Sequence, residues 1–425
     1  GVDNASRLDY QDISSLFSKL ESSMRLAFLT NVFPSPVSPT KGTFNLELAK
    51  ALVEDCELSM IVPVAWTDQI RARRAGRTLP RDVVRHDAGF SVCYPTYWYS
   101  PGIGRSRYDQ MMAWSLRTKL KEIGSDRPDA VLSYWAHPDG AVATRWANEL
   151  GIPSWMMLGG SDVLLLTIDR SRGDVIRAAL MAADGVIAVS QDIANALSNL
   201  GVDSAKVHVI RRGVDDQTFH PRNRGSARAE RGLEGGRPVL LWVGRMVPVK
   251  GLDRLLNAAA AAQNDGADFE LVLAGDGPLR STLESQAEEL GLKRVRFVGG
   301  VAHSDLAAWY RAADWTLLSS LSEGIPNVLL ESHACGTPFI ATDVGGVSEI
   351  VLDGVDRLVP SDDPDALARA IKQASTNIEV DREAVSGSVG TLESASQRVL
   401  GLIRQTLPVE DPADHALTVD SERAS

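Results

Sequence analysis

The sequence predicts an α/β protein built from two doubly wound domains, each with a parallel sheet. Along two long stretches of the chain, short apolar runs typical of buried strands alternate with segments of helical spacing. A segment rich in glycine, proline and arginine, Arg211–Arg237, separates the two stretches and is typical of a linker. The chain has 425 residues, which is long for a single hydrophobic core.

In the first stretch, apolar runs predict strands, and apolar residues at helical spacing predict the helices between them. The predicted strands are Arg25–Thr30, Glu57–Val62, Ala130–Ser133, Ser154–Leu158, Gly185–Val189 and Val207–Ile210. The predicted helices are Phe44–Val53, Arg107–Ile123, Gly140–Leu150 and Gln191–Leu200.

The same alternation restarts after the linker. The predicted strands are Val239–Val243, Phe269–Ala274, Val295–Val298, Trp315–Leu318 and Phe339–Thr342. The predicted helices are Gly251–Ala262, Pro278–Leu290, Asp305–Ala312 and Asn327–Ala334. Doubly wound sheets bind ligands beyond the carboxyl ends of their strands, so the loops at those ends are the places to look for a site.

The predicted organisation has five parts. Residues 1–23 form a polar appendage, 24–212 the first domain and 213–390 the second domain. Residues 391–407 form a helix that can cross back to the first domain, and 408–425 form a flexible acidic tail.

Composition narrows the classes of function. The formal net charge of −11 argues against nucleic acid as a partner. The three cysteines, Cys56, Cys93 and Cys335, lie far apart, which predicts neither a metal site nor a disulfide and is typical of a cytosolic protein. No apolar run reaches membrane-spanning length, so we expect a cytoplasmic protein, with contact to the inner membrane face at most peripheral.

The segment Ser322–Glu331 has the strongest pattern for ligand binding. A helix is expected to begin at Pro326–Asn327, and the first N–H groups of a helix, here those near Val328, favour an anion. Glu323 precedes this helix and Glu331 lies inside it, and carboxylates suit the paired hydroxyls of a sugar. The pattern indicates a nucleotide-sugar site; the alternative is an acidic first turn that satisfies its own helix dipole.

Three further loops of the second domain follow predicted strands. Gly244–Gly251 places Arg245 and Lys250 between two glycines, which suits a diphosphate. The tight turn Gly275-Asp276-Gly277 can pass under a ligand, and Val298-Gly299 can offer backbone groups to a base edge.

The first domain offers three candidates at its own strand ends. Gly42 opens the first predicted helix and permits close approach of the backbone to a ligand. His137 and Asp162 follow two later strands and fall on the same edge of the sheet. The alternative is a structural histidine, and an aspartate that caps the next segment.

A basic and aromatic region, 71–107, stands apart from these loops. Six arginines between Arg71 and Arg85 are followed by the aromatic loop Tyr94–Tyr99 and by two more arginines. This mixture suits a peripheral membrane contact or an anionic acceptor. A solvated arginine-rich face is the alternative.

Taken together, the second-domain motifs resemble the retaining group 1 (family four) glycosyltransferases of GT-B fold. The resemblance runs from about Met24 to Leu407 and is densest in Pro238–Ile350. The motifs that carry it are Val243-Gly244-Arg245…Lys250-Gly251, Ala274-Gly275-Asp276-Gly277-Pro278-Leu279, Phe297-Val298-Gly299 and Glu323-x7-Glu331. Two departures are Lys41-Gly42-Thr43 in place of a double glycine and Ile325-Pro326-Asn327 in place of the commoner Phe-Gly.

The resemblance implies a retaining transferase with a nucleotide-diphosphate sugar as donor, a UDP-sugar favoured, and a glycan, lipid-linked or small-molecule acceptor. It implies that Arg245 and Lys250 neutralise the leaving diphosphate and that Glu331 holds the ribose. Glu323 would contact the donor sugar, and His137 would contact it from the first domain. No Asp-x-Asp motif stands at a strand end of the predicted cleft, so neither metal nor other cofactor is expected.

Two other functions fit the same architecture. A nucleotide-sugar epimerase would need no acceptor, and product analysis would distinguish it from a transferase. The second is a non-catalytic sugar-nucleotide binding protein. Such a protein would not need four charged residues together, and this sequence has Arg245, Lys250, Glu323 and Glu331.

Overall fold

A computed structural model describes residues 24–39, 41–233, 236–376 and 380–408. The predicted appendage 1–23 and the predicted tail from 409 onward lie outside the described residues. None of the helices in the described ranges is long and apolar enough to cross a membrane.

The described part of the chain before the second domain contains ten strands. In chain order they are β1 Arg25–Leu29, β2 Glu57–Ile61, β3 Val64–Ala65, β4 Val84–Arg85, β5 Ser91–Cys93, β6 Thr96–Tyr97, β7 Ala130–Tyr134, β8 Ser154–Leu158, β9 Gly185–Ala188 and β10 Val207–Val209. Eight of them form one sheet in the order β10-β9-β8-β7-β1-β2-β5-β4. Its neighbours are parallel except for β4 and β5, while β3 and β6 pair separately.

Helices connect these strands. They are Thr43–Leu52, Trp66–Arg74, Tyr108–Ser125, Ala141–Leu150, Ser161–Leu164, Arg170–Ala182 and Gln191–Asn199. Every residue of β7 and β8 is buried, which explains why these strands read as unbroken apolar runs in the sequence.

The second sheet has six parallel strands in the order β13-β12-β11-β14-β15-β16. Their bounds are β11 Val239–Val243, β12 Glu270–Ala274, β13 Val295–Gly299, β14 Trp315–Leu318, β15 Phe339–Asp343 and β16 Arg357–Pro360. The helices around it are Arg224–Arg231, Leu252–Asn264, Arg280–Glu289, His303–Ala312, Asn327–Ala334, Pro364–Ala374 and Arg382–Ser386. Two doubly wound parallel sheets confirm the predicted fold class.

The segment that composition identified as a linker is partly a helix. Arg224–Arg231 packs against His303–Ala312, and Ala227 is buried in the second core. Arg228 donates to the carboxylate of Asp314, which anchors the helix beside β14. A polar sequence with one apolar position gave no periodic signal, so composition alone was misleading there.

The last helix, Leu392–Gln405, packs on the first domain. Val399, Leu400 and Ile403 are fully buried in the core that also contains Leu48 and Leu52 of the first helix. The helix Leu392–Gln405 is thus fixed to the domain that contains β1. The domain bounds themselves stay a prediction.

Candidate functional site

The carboxyl ends of the two sheets face each other, and glycines form the closest contact between them. A β-carbon on Gly160 would lie 2.9 Å from Cα of Gly324, and one on Gly324 would lie 2.3 Å from the carbonyl oxygen of Gly159. Real β-carbons do not approach so closely, so the loops after β8 and β14 can meet only as bare backbone. The candidate cleft lies beside this contact.

Lys250 and Glu323 meet in the second domain. Lys250 Nζ lies 2.5 Å from Glu323 Oε1, and Ser320 Oγ donates to the same oxygen at 2.5 Å. The two side chains are 25% and 11% exposed, so this ion pair is partly desolvated. The loops that follow β11 and β14 therefore place a predicted cation and a predicted carboxylate together.

The chain turns sharply after Lys250 to allow this. Gly251 has φ of +59°, and a β-carbon there would lie 2.2 Å from the carbonyl oxygen of Ser319. Ser319 Oγ in turn donates to the carbonyl of Lys250 at 2.9 Å. A residue with a side chain would separate the two loops and move Lys250 away from Glu323.

Arg245 is exposed at the mouth of the same loop and has no ion pair within the described ranges. The neighbouring glycines pack loop on loop. A β-carbon on Gly275 would lie 1.8 Å from the carbonyl oxygen of Gly244, and one on Gly277 would lie 2.4 Å from that of Met246. The contacts observed for Gly244, Gly275 and Gly277 are thus between loops, which leaves Arg245 on the surface.

Asp276 and the Val298-Gly299 pair lie at the next strand ends. Asp276 is exposed, its Oδ1 accepts from the N–H of Gly277 at 2.7 Å, and Arg280 lies 3.9 Å from its Oδ2. The carbonyl of Gly299 accepts from Gly275 at 2.8 Å, and Val298 packs against the core. One lone pair of the Gly299 carbonyl is thus occupied, and base contacts of Val298 and Gly299 stay a prediction.

The helix Asn327–Ala334 begins where the sequence predicts it. Pro326 is its N-cap, and no side chain among the described residues caps this end. The half-buried Asn327 and Val328 lie in its first turn. Their N–H groups have no intrahelical partner, so the end keeps the donors and the positive dipole that favour an anion.

Glu331 is buried within this helix, with 8% of its surface exposed. Its Oε2 accepts from the hydroxyl of Tyr310 at 2.9 Å, and its Oε1 accepts from Nε2 of His303 at 3.0 Å. Burial, together with the charge of Glu331, raises the pKa of Tyr310 well above its usual value, so the phenol stays a donor.

His303 is a residue that the sequence reasoning missed. Burial lowers the pKa of its imidazole, but the hydrogen bond and the charge of Glu331 outweigh burial and raise the pKa. The only available signal was its position just after β13, at the start of a helix. His303 and Glu331 line a pocket between the domains, with Phe44 and Glu47 opposite and the guanidinium of Arg212 stacked 4.1 Å over the Phe44 ring.

The first-domain candidates are more deeply buried than expected. His137 is 2% exposed, and its Nε2 lies 3.6 Å from Oδ1 of Asp109. Burial raises the pKa of Asp109, but the neighbouring His137 and the hydrogen bond from Arg145 outweigh burial and lower it. Nε2 of His137 faces Asp109, so a hydrogen bond to a sugar would have to come from Nδ1. That contact stays a prediction.

Asp162 accepts hydrogen bonds from backbone donors, and its predicted role in ligand binding stays a prediction. It is fully buried, and its carboxylate accepts from the N–H groups of Gly160 at 2.8 Å, Ala136 at 3.2 Å and Gly159 at 3.4 Å. Both oxygens are thus used by backbone donors, although burial still raises the pKa of the group. Asp162 ties together the loops after β7 and β8.

Gly42 lies at the start of the first helix with φ of +65°. A β-carbon there would lie 2.2 Å from the carbonyl oxygen of Val32. The glycine therefore holds the loop after β1 close to the helix start, and a ligand contact of Gly42 stays a prediction.

Two family models cover most of the chain. The model for glycosyl transferases group 1 matches residues 223–386, and the model for glycosyltransferase family 4 matches residues 42–218. An uncharacterized glycosyltransferase of Methanocaldococcus jannaschii is 32% identical over 260 residues, which are 61% of this chain and 68% of that protein. D-inositol 3-phosphate glycosyltransferase 2 of Catenulispora acidiphila is 39% identical over 202 residues, which are 45% of this chain but 47% of that relative.

Solved structures share the architecture over almost the whole length. Sucrose-phosphate synthase from Thermosynechococcus elongatus superposes with a TM-score of 0.72 at 22% identity, covering 90% of this chain and 98% of that chain. Anabaena HepE, solved in complex with UDP-glucose, superposes with a TM-score of 0.68 at 19% identity, covering 90% and 100%. These likenesses show a common GT-B fold, and with the sequence matches they show that the chain belongs to the group 1 glycosyltransferases.

Proposed function

We propose that this glycosyltransferase is retaining and metal-independent, and that it moves a hexosyl group from a UDP-sugar to a glycan, lipid-linked or small-molecule acceptor in cell-surface polysaccharide or glycolipid synthesis. The observation that carries the proposal is the contact of Lys250 with Glu323 beside the uncapped start of the Asn327–Ala334 helix. Cation, carboxylate and backbone donors lie together there, as a sugar diphosphate requires. HepE, which shares the fold, was solved with UDP-glucose, which favours uridine as the base.

Each group has a role that follows from its position. Lys250 and Arg245 meet the charge that gathers on the leaving diphosphate, with the N–H groups near Asn327 as further donors. Glu323 keeps Oε1 on Lys250 and offers Oε2 to a hydroxyl of the donor sugar. In the retaining step, the acceptor hydroxyl attacks from the face that the diphosphate leaves. A phosphate oxygen accepts the proton of that hydroxyl.

Glu331 is proposed to hold the ribose, and its neighbours prepare it for that role. Tyr310 and His303 each donate to one oxygen, which fixes the plane of the carboxylate. A carboxylate oxygen accepts more than one hydrogen bond, so both oxygens can still receive ribose hydroxyls. His137 of the first domain would contact the sugar through Nδ1.

The first test is a donor screen. The purified protein is incubated with UDP-, GDP- and ADP-glucose, with water as the acceptor, and NMR follows the released nucleoside diphosphate and the glucose anomer formed first, before mutarotation. We expect release from UDP-glucose with retention at the anomeric carbon. Inversion, or binding of none of the three donors in calorimetry, would contradict the proposal.

The second test concerns the two cations. Groups that meet charge only in the transition state raise kcat more than they tighten donor binding. Lys250→Ala and Arg245→Ala are each expected to lower kcat by about 10²–10³-fold, the usual cost of removing one preorganised donor. Glu331→Ala is expected mainly to raise the donor KM, since ribose contacts change little along the reaction.

Steady-state kinetics on UDP-glucose measure both parameters, and circular dichroism checks the fold. Lys293→Ala, at an exposed position of the same domain, is the matched control. If both cation variants keep a kcat near that of the control, the diphosphate role is wrong.

The third test uses the pH dependence of the His303–Glu331 pair. The pKa of His303 is raised in the folded protein, so the pair stabilises the fold at pH below the ordinary histidine pKa and loses that contribution as pH rises through the raised value. His303→Gln should therefore lower the urea midpoint more at about pH 5.5 than at about pH 8.5. His86→Gln is the control, because His86 has no carboxylate partner in the described residues. An equal loss at both pH values would exclude the charged pair.

We further propose that residues 71–107 contact an anionic membrane surface that carries the acceptor. Trp98 is 56% exposed and Ile103 74% exposed. Trp98 stacks on Trp66, which begins the short helix with the exposed Arg71, Arg73 and Arg74. Exposed aromatic and aliphatic groups beside cations suit the headgroup region of a bilayer.

Changing Arg73, Arg74 and Arg77 together to Ser should weaken binding to vesicles of anionic lipid, and more so at low salt. Co-sedimentation with vesicles measures the effect. The control changes the exposed Arg237 and Arg294 of the second domain to Ser in the same way. If the intact protein does not sediment with anionic vesicles, the membrane part of the proposal is refuted.

A further inference from the structure

A carboxylate of the second domain caps a helix of the first domain across the cleft. Glu349 Oε2 accepts from the N–H of Gln191 at 2.9 Å, and Glu349 Oε1 accepts from the N–H of Asp192 at 2.9 Å. These two N–H groups open the helix Gln191–Asn199, which follows β9. The side chain of Glu349 is 15% exposed, so the contact is largely shielded from water.

The contact satisfies donors that the helix cannot satisfy itself. The first N–H groups of any helix lack internal partners and carry the positive dipole end. The hydroxyl oxygen of Ser190, the N-cap, accepts from the N–H of Ile193 at 3.2 Å. Glu349 takes the two donors that remain ahead of it, and Arg211 lies 3.7 Å from the same carboxylate. A bidentate, charge-assisted contact of this kind is among the stronger hydrogen bonds in proteins.

The turn that carries Glu349 also supports the loop that carries Glu323. It runs from Gly345 to Ile350, directly after β15. The N–H of Gly346 donates to the carbonyl of Gly324 at 2.9 Å. A β-carbon on Gly345 would lie 1.9 Å from the carbonyl oxygen of Glu323. The turn is thus held between the first-domain helix and the backbone of Glu323.

We propose that Glu349 is a positioning residue that holds the two domains at the spacing of the closed cleft. By capping the Gln191–Asn199 helix, Glu349 keeps the turn 345–350 in contact with Glu323–Gly324. The same contact keeps Glu323–Gly324 packed against Gly159–Gly160. Its effect on sugar transfer depends on the proposed function, whereas its effect on domain spacing does not.

The test measures domain spacing and activity separately. Small-angle X-ray scattering of the unliganded protein should give a larger radius of gyration for Glu349→Ala than for the wild type. Glu289→Ala, an exposed carboxylate at the end of another second-domain helix, should match the wild type. An unchanged radius of gyration in Glu349→Ala would overturn the proposal.

Gln191→Pro tests the same contact from the other domain. Proline suits the first position of a helix and removes the N–H that Glu349 accepts, together with an exposed side-chain hydrogen bond from Gln191 to Asn195. Ser190, with φ of −146° and ψ of 159°, already has the extended backbone that precedes a proline. This variant should expand the protein as Glu349→Ala does. It carries the test alone if Glu349→Ala does not fold, and an unchanged radius of gyration would again overturn the proposal.

Activity supplies the second readout, with UDP and UDP-glucose as probes. UDP affinity in calorimetry should stay near the wild-type value, because the side-chain contacts of Glu349 are with Gln191, Asp192 and Arg211, none of which is proposed to bind the nucleotide. The kcat for UDP-glucose should fall about tenfold, because the loss of the charge-assisted contact lets the domains move apart. A simple loss of stability would weaken both. If the wild type neither binds UDP nor turns over UDP-glucose, the proposed function fails while scattering still decides the positioning role.

Discussion

The close approach of bare backbone between the two domains is the constraint on which the site depends. Gly160 and Gly324 can touch only because neither has a side chain, and Gly345 lies against Glu323 for the same reason. Any β-carbon at these positions would push the strand ends apart by more than side-chain rotation can recover. The glycines thus set the width of the cleft, and every charged group of the candidate site is placed relative to that width.

Within the cleft, charge attraction and lost hydration both act on the Lys250–Glu323 pair. Lys250 and Glu323 are partly buried, so each needs the other, or a ligand, to compensate for lost hydration. An incoming diphosphate would share Lys250 with Glu323 instead of displacing water from a free ammonium group. Arg245, which is exposed, has more freedom to follow the phosphates as the sugar bond breaks. The proposed diphosphate site therefore combines Lys250, whose position is fixed by Glu323, with Arg245, which can change its conformation.

The sequence predicts those parts of the fold and site that depend on local patterns. Central strands such as Val239–Val243 are apolar throughout because both faces are covered, and loops at their ends could be identified directly. The edge strand Val84–Arg85 is exposed and gives no such signal. The backbone partners of Asp162 come from the fold of two loops, so no local pattern predicts them. Glu349 was missed because its partner Gln191 lies 158 residues away, and no local pattern reports a contact of that separation.

The two domains contribute different parts of the candidate site, and this difference affects donor and acceptor specificity. The second domain supplies nearly every charged group proposed for the donor, while the first supplies backbone at Gly159–Gly160, a capped helix and the exposed aromatic region around Trp98. Under the proposed function, donor recognition can therefore stay constant while the acceptor region of the first domain changes, provided that the glycine contact and the Glu349 cap are kept. A first domain that lost either contact would no longer be held at a fixed distance from Glu323.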